Sequence, residues 1–348
     1  QTYSDQHEGR EERMKRIAGR ITAVMRSNTI IPIFLGVFLS ASLFVGNFFS
    51  LENFINILGQ NAAKGVMAVG MTFLILNGYF DLSAGTLMGL ASCLLVGITP
   101  SVGLFAAIVL MLLLGLAVGT LNGLMVTKLK INAFIVTMAG MTLWRGLTFI
   151  YTEQTIRNTS KGFYELSRNS FLGLSYPVWL CLIFVAAGQA VLRYSRHGRN
   201  TYAAGGNMNS AKNAGINVDR TVIINFAVCS LCAVVAGIMY ASKFNSASPT
   251  LGWPDAHMLA IAAVVLGGTK LSGGYGNMLY TFGGVLVLGF IDNIMNLLKL
   301  SSYYNTLVFG IILILVLYMD KVLREKPAYN IPDKHNSDDK HATEKEKK

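Results

Sequence analysis

Charge is what this chain has least of. Asp, Glu, Lys and Arg make up 14% of its 348 residues, where a soluble domain carries about a quarter. The shortage is deeper than that, because the charge is gathered at the ends. Residues 1–26 hold six Lys/Arg and four Asp/Glu, residues 320–348 hold eight and seven, and the 293 residues between keep only 15 and seven. Such a middle cannot cover a water-facing surface, which excludes a soluble globular domain. In lipid the backbone must satisfy its own polar groups, so only helices or closed barrels remain. The apolar runs are long, not alternating segments of about ten residues, which excludes a barrel. The expected fold is an all-α integral membrane protein.

Other absences narrow the function. There are four cysteines, Cys93, Cys181, Cys229 and Cys232, all within apolar runs. The Cys229–Cys232 CxxC has no second pair and no nearby His, so no metal site is expected and the thiols read as small packing residues. His257 is the only His between positions 198 and 334. No nucleophile–base pair stands out, so the chain does not read as an enzyme. No GxxxxGK[ST] loop occurs, so no ATP-binding site is expected in this chain. The first 26 residues are too charged for a signal-peptide core. The net charge of +11 is spread between apolar runs rather than interleaved with aromatics, which argues against nucleic acid.

What is present is a series of runs near the 20 residues a span needs. Ten are predicted, at 29–49, 54–77, 82–99, 102–127, 131–151, 176–193, 221–243, 257–272, 277–298 and 303–320. The third and eighth are short and glycine-rich. Lys and Arg concentrate on the cytoplasmic side. With both termini inside, that side receives the basic start, Lys128, Lys130, the loop 194–220, Lys321, Arg324 and Lys326. The loop 152–175 then lies outside, although it carries Arg157, Lys161 and Arg168. Three segments follow: a basic cytoplasmic start at 1–28, a transmembrane domain at 29–320 and a disordered cytoplasmic tail at 321–348. Within the first, Met14, Ile17, Ile21 and Met25 recur at helical spacing among arginines. That suits either a helix on the membrane surface or an extension of the first span. The Lys/Glu/Asp-rich tail cannot bury a core.

A faint two-fold repeat runs through the transmembrane part. Gly78-x-x-x-Leu82-Ser83-x-Gly85 recurs as Gly267-x-x-x-Leu271-Ser272-x-Gly274. Duplicated halves are common in transporters, with substrate passing at their interface.

The loop 194–220 is the most informative segment. Asn207 can cap a helix and Gly215 can end it in the left-handed region. That leaves seven helical residues, 208–214, too few to stand alone in water. A partner surface, or the spans themselves, must hold such a helix. Polar groups at membrane depth also stand out. Asp81 can cap the third span. Asp292, Asn293 and Asn296 share a stripe on the ninth, and Asn77 and Asn122 lie on others. They read as weak hydrogen-bonding partners for a passing solute or as interhelical glue. Lys64 and Arg145 are expected to reach for an interface, and Gly115 and Gly119 form a GxxxG that permits close helix contact.

Four stretches, in order, resemble the permease subunits of ribose/galactose-type sugar ABC importers. They are GYFDLSAG at 78–85, NAFIVTMAGMTLWRGL at 132–147, GRNTYAAGGNMNSAKNAGIN at 198–217 and AIAAVVLGGTKLSGGYGN at 260–277. The resemblance runs from about 55 to 320. It departs from the family pattern at Asn132, where the family has proline. It departs again at His257-Met258-Leu259, where the family has Glu-Leu-Asp. The resemblance implies a bacterial inner-membrane, multi-pass permease for a sugar or sugar-like solute, working by alternating access. It implies two cytoplasmic ATPase subunits that bind ATP and Mg, a second permease copy or paralogue, and an extracytoplasmic solute-binding protein. No cofactor is expected on the permease itself. It implies that Gly198, Arg199, Ala204, Gly205, Gly206, Asn207, Ala211 and Gly215 belong to the element touching the ATPase. Branched-chain amino acid permeases are relatives and give an alternative solute class. An ion-driven carrier is a second alternative, with Asp81 and Asp292 as the carboxylates deep enough to serve it.

Overall fold

The structure, a computed structural model, describes residues 48–157 and 162–324, with positions 36, 38, 39, 42 and 46 before them. The predicted surface helix at 11–26, most of the predicted first span and the tail from 325 lie outside those residues. The described helices are α1 (Leu51–Leu76), α2 (Ala84–Val102), α3 (Leu104–Thr127), α4 (Ala133–Tyr151), α5 (Glu165–Arg168), α6 (Tyr176–Tyr194), α7 (Arg196–Gly206), α8 (Met208–Asn213), α9 (Val218–Phe244), α10 (Ala256–Leu266), α11 (Met278–Leu297) and α12 (Ser302–Arg324). Four two-residue strands accompany them: β1 (Ile156–Arg157), β2 (Ser170–Phe171), β3 (Leu174–Ser175) and β4 (Ser246–Ala247).

Six helices, α2, α3, α4, α6, α9 and α11, are long and apolar enough to cross a membrane. The predicted count of ten is therefore supported only as a multi-pass architecture. The predicted span 257–272 is corrected: α10 ends at Leu266 after 11 residues, about 16 Å of helix. Gly267 follows, and Gly268 and Gly273 take φ of +82° and +86°. That backbone suits glycine and ends a helix. The third span starts two residues later than predicted, at Ala84, and runs on to Val102. α12 reaches Arg324, four residues into the segment assigned to the tail.

Asparagine starts several helices. Asn132 caps α4 from the Phe134 N–H at 2.8 Å, Asn217 caps α9 from Arg220 at 2.9 Å, and Asn277 caps α11 from Leu279 at 2.8 Å. Asn132, the N-cap of α4, thus supplies a side-chain acceptor that a proline at this position would lack.

α9 is the central helix, packed on α1, α2 and α3. Of the apolar stretches of α2 and α9, 67% is buried, against 28% for α3 and α6 and 22% for α4; the last three form the rim. Backbone-to-backbone contact makes α9 central. A Cβ at Gly115 would sit 3.2 Å from the Ser230 carbonyl, one at Gly123 would sit 2.7 Å from the Ile223 Cα, and one at Gly119 would overlap the Phe226 carbonyl. The expected GxxxG contact is present and extends one further turn. α1 meets α9 the same way at Gly70, whose Cβ would lie 2.8 Å from the Cys229 Cα. All four cysteines are free and buried.

At one end of the bundle β1 pairs antiparallel with β4, Ile156 opposite Ala247. Ser242 donates to the Phe163 carbonyl at 2.6 Å. The segment after β4 then turns back against α2, where Gly85 and Gly89 leave room for the 251–252 backbone.

Candidate functional site

The opposite end of the bundle carries α7 and α8. α6 ends at Tyr194, and Ser195 turns the chain by donating to the Val191 carbonyl at 2.7 Å and accepting from Gly198 N–H at 2.9 Å. A Cβ at Gly198 would overlap the Leu192 carbonyl, so α7 can follow α6 this closely only with glycine there. α7 was missed by the sequence reading. α8 has the predicted cap, Asn207 accepting from Ser210 N–H at 2.9 Å. It ends at Asn213, one residue short of prediction, with Gly215 at φ +80°.

α7 is wedged between the two copies of the glycine repeat. A Cβ at Gly205 would overlap the Leu76 carbonyl at the end of α1 and lie 2.7 Å from Gly274 N. Gly274 N–H itself donates to the Leu76 carbonyl at 2.8 Å, and a Cβ at Gly78 would stand 3.2 Å from the Ser272 carbonyl. Side chains fasten the same joint. Tyr202 Oη donates to the Gly276 carbonyl at 2.8 Å, and Asn77 Nδ2 to the Thr201 carbonyl at 2.8 Å. His197 Nε2 meets Asn225 Oδ1 at 2.7 Å, and Asn225 Nδ2 binds Asn77 Oδ1. Burial pushes the Tyr202 phenol up from its ordinary value. Ala204 and Ala211 are buried against the bundle, while Arg199, Gly206, Asn207, Lys212 and Gly215 face outward. α7 and α8 thus present an exposed, partly basic face while being anchored to α1, α9 and the α10–α11 turn.

Beside it, Lys128 and Lys130 pair with Asp219 at 2.9 and 4.0 Å. A groove of about 340 Å³ opens nearby, lined by Gly78, Tyr79, Phe80, Lys130, Asn132 and Phe134 among others. Burial, and then the Asp219 charge, push the Tyr79 phenol up.

The predicted solute-path residues fall into three places. Asn77 belongs to the α7 joint. Asp81 and Asn122 meet at the start of α2. Asp81 is fully buried, its Oδ1 accepting from Ser83 N–H at 2.8 Å and Ser83 Oγ at 2.6 Å, and Asn122 Nδ2 reaches Ser83 Oγ at 3.3 Å. Asp292 and Asn293 lie toward the far end of α11, bound to α1: Asp292 pairs with Lys64 at 2.6 Å, and Asn293 exchanges two hydrogen bonds with Asn53 at 2.8 and 2.9 Å. Asn296 is exposed. Lys64 thus has a carboxylate partner on α11, and Arg145 lies over the Trp253 ring at 4.1 Å. Sequence reading missed Asn225, Thr201 and Ser230. A polar residue inside the apolar run 221–243 was the available signal for Asn225 and Ser230.

Residues 53–317 match the family described as branched-chain amino acid transport system / permease component. The chain is 40% identical over 282 residues to the ribose import permease protein RbsC of Escherichia coli K12, 79% of this chain and 87% of that one. It is 39% identical over 295 residues to RbsC of Bacillus subtilis 168, 83% and 91%. It is 35% identical over 309 residues to the L-arabinose transport system permease protein AraH of E. coli K12, 84% and 89%. No solved structure matches the chain.

Proposed function

The chain belongs to the ABC-importer permease family described as branched-chain amino acid transport system / permease component, and from that membership we propose that it carries a pentose or a similar sugar inward, driven by ATP hydrolysed on separate subunits. The sugar class rests on the ribose and L-arabinose permeases it resembles over about four-fifths of its length. Those relatives favour sugars over branched-chain amino acids. Both termini and the α7–α8 end face the cytoplasm, and two ATPase subunits holding ATP and Mg dock there. A second permease copy or paralogue completes the channel, and an extracytoplasmic binding protein delivers solute at the β1–β4 end.

The observation that carries this reading is the seating of α7: Gly205 lies against the Leu76 carbonyl, which itself binds Gly274 N–H. A push on α8 from below therefore reaches α1 and the α10–α11 turn together, through backbone rather than pliable side chains. Alternating access needs such a rigid input, because packed elements switch between discrete arrangements. The contact residues are Gly198, Arg199, Ala204, Gly205, Gly206, Asn207, Ala211 and Gly215. The outward-facing ones touch the ATPase, and the buried ones hold the pair on the bundle.

Reconstitution with its ATPase and binding-protein partners tests this. Gly205→Pro, or deletion of 208–214, is expected to abolish D-ribose uptake while ATP hydrolysis continues. Unchanged uptake overturns the coupling role. Uptake that persists without nucleotide and collapses with an ionophore overturns the ATP-driven reading in favour of an ion-coupled carrier. Competition by leucine rather than ribose overturns the sugar class.

A further inference from the structure

The turn between α3 and α4 joins two helices of the rim, both long and apolar enough to cross a membrane. It reads Lys128-Leu129-Lys130-Ile131, alternately basic and apolar. All four are exposed, Leu129 by 67%, and Phe134 at the start of α4 is exposed with them. Asp219 pairs with Lys128 at 2.9 Å and with Lys130 at 4.0 Å, and Lys212 on α8 adds its charge to the same carboxylate. Three cations thus share one anion.

The groove of about 340 Å³ beside this turn has a lining of two kinds. Lys130, Asn132 and Tyr79 bring hydrogen-bond donors. Asn132 Oδ1 already accepts from Phe134 N–H at 2.8 Å, which leaves its amide N–H groups to give. Phe80, Ile131 and Phe134 supply apolar surface, and no Asp or Glu lines the groove. A charged, donor-rich patch next to an apolar one is the pattern of a phosphate ester carrying a hydrocarbon body.

We infer that this groove holds the headgroup of an anionic phospholipid, with Lys130 and Asn132 on the phosphate and Ile131 and Phe134 against the glycerol and upper acyl chains. Charge speaks against a second copy of the chain as occupant. Segments 126–134 and 193–220, which form this end of the bundle, carry seven Lys/Arg and one Asp, so a second copy would bring like charge. The apolar side chains decide between a lipid and an acidic protein surface. The turn lies where two spans leave the bilayer, and there long basic side chains standing among apolar ones reach for headgroups. A soluble phosphate ester would use the donors and leave Leu129 and Phe134 in water. The site depends neither on the solute carried nor on what drives its transport.

Native mass spectrometry of the purified full chain, titrated with phosphatidylglycerol or with phosphatidylcholine, tests this by reading the lipid retained. The parent is expected to hold phosphatidylglycerol more tightly than phosphatidylcholine. Lys130→Asn removes the charge with a residue that tolerates the φ of +57° found there. It should weaken phosphatidylglycerol about fivefold, the worth of one cation at an anionic surface, with phosphatidylcholine binding and Tm at parental values, and Lys130→Arg should restore it. Equal retention of the two lipids by the parent overturns the site. So does parental phosphatidylglycerol binding in both Lys130→Asn and the double variant Lys130→Asn with Lys128→Gln. Glycerol 3-phosphate binding as tightly as phosphatidylglycerol also overturns it, making the groove a soluble-phosphate site. A double variant that keeps phosphatidylglycerol but loses its ATPase on co-purification overturns it in favour of a protein contact.

Discussion

At the scale of single residues, neighbouring glycines differ sharply in what they permit. A Cβ on Gly205 would drive into the Leu76 carbonyl, while Gly206 has nothing within 4 Å. Gly205→Ala is therefore expected to lower the Tm of the purified chain and to break the link between ATP hydrolysis and uptake, whereas Gly206→Ala leaves the Tm at the parental value. Thermal unfolding of the two variants side by side, with coupled assays of the first, checks this. The Lys64–Asp292 pair makes a second case. Removing the cation strands a carboxylate on a membrane helix, at a cost of about 3 kcal/mol. Lys64→Met should lower the Tm of the purified chain, and adding Asp292→Leu should restore most of it, because the stranded charge is then gone. Thermal unfolding of the single and double variants checks that order. The sequence made Asp292 conspicuous but hid its partner, since Lys64 lies 228 positions away and no local pattern joins them.

At the scale of elements, legibility tracks apolar length. α3, α4, α6, α9 and α11 lie within a few residues of their predicted spans because each is a long apolar run. α7 escaped because its stability is not written in periodicity: Gly198, Gly205 and Gly206 are poor helix formers, and its hold comes from tertiary contacts at Leu76, Gly274 and Asn225. α8 was legible because capping is local, and Asn207 and Gly215 announce both ends. Asn207→Ala removes that cap, at about 1 kcal/mol. A six-residue helix has little to set against such a loss, so backbone amide exchange at 208–213 should rise and uptake per ATP should fall, with α9 unaffected. The eighth predicted span failed where α10 stops, because Gly267–Gly268 allowed two continuations and only the packing of the α10–α11 turn on α1 selected one. At the start of α2 the sequence pointed to Asp81 and Asn122, but not to Ser230, which reaches the Asp81 carboxyl from α9.

At the scale of the whole molecule, the burial figures divide a buried core of α2 and α9 from a rim of α3, α4 and α6. Leu143 on α4 is 53% exposed, an apolar side chain on the rim of a multi-pass membrane bundle. Leu143→Arg should reduce the chain recovered in the membrane fraction, while Leu143→Phe leaves it unchanged; quantitative blotting of both variants checks this. The multi-pass class was readable from composition, because a chain this poor in charge has no other surface to offer. How the segments around Gly78 and Gly274 meet was not, since they lie nearly 200 positions apart and touch only in the folded bundle, Gly78 against Ser272 and Gly274 N–H on the Leu76 carbonyl. The glycine-lined tracks along α9 reach further still. Where bare backbone slides on bare backbone there is no slack volume for any new atom, yet also no interlocked side chain to unpick. In a saturation mutational scan, intolerance should therefore trace a narrow spiral through Gly70, Gly115, Gly119 and Gly123, with permissive positions on either flank. Along that same spiral the bundle can shear at the smallest energetic penalty.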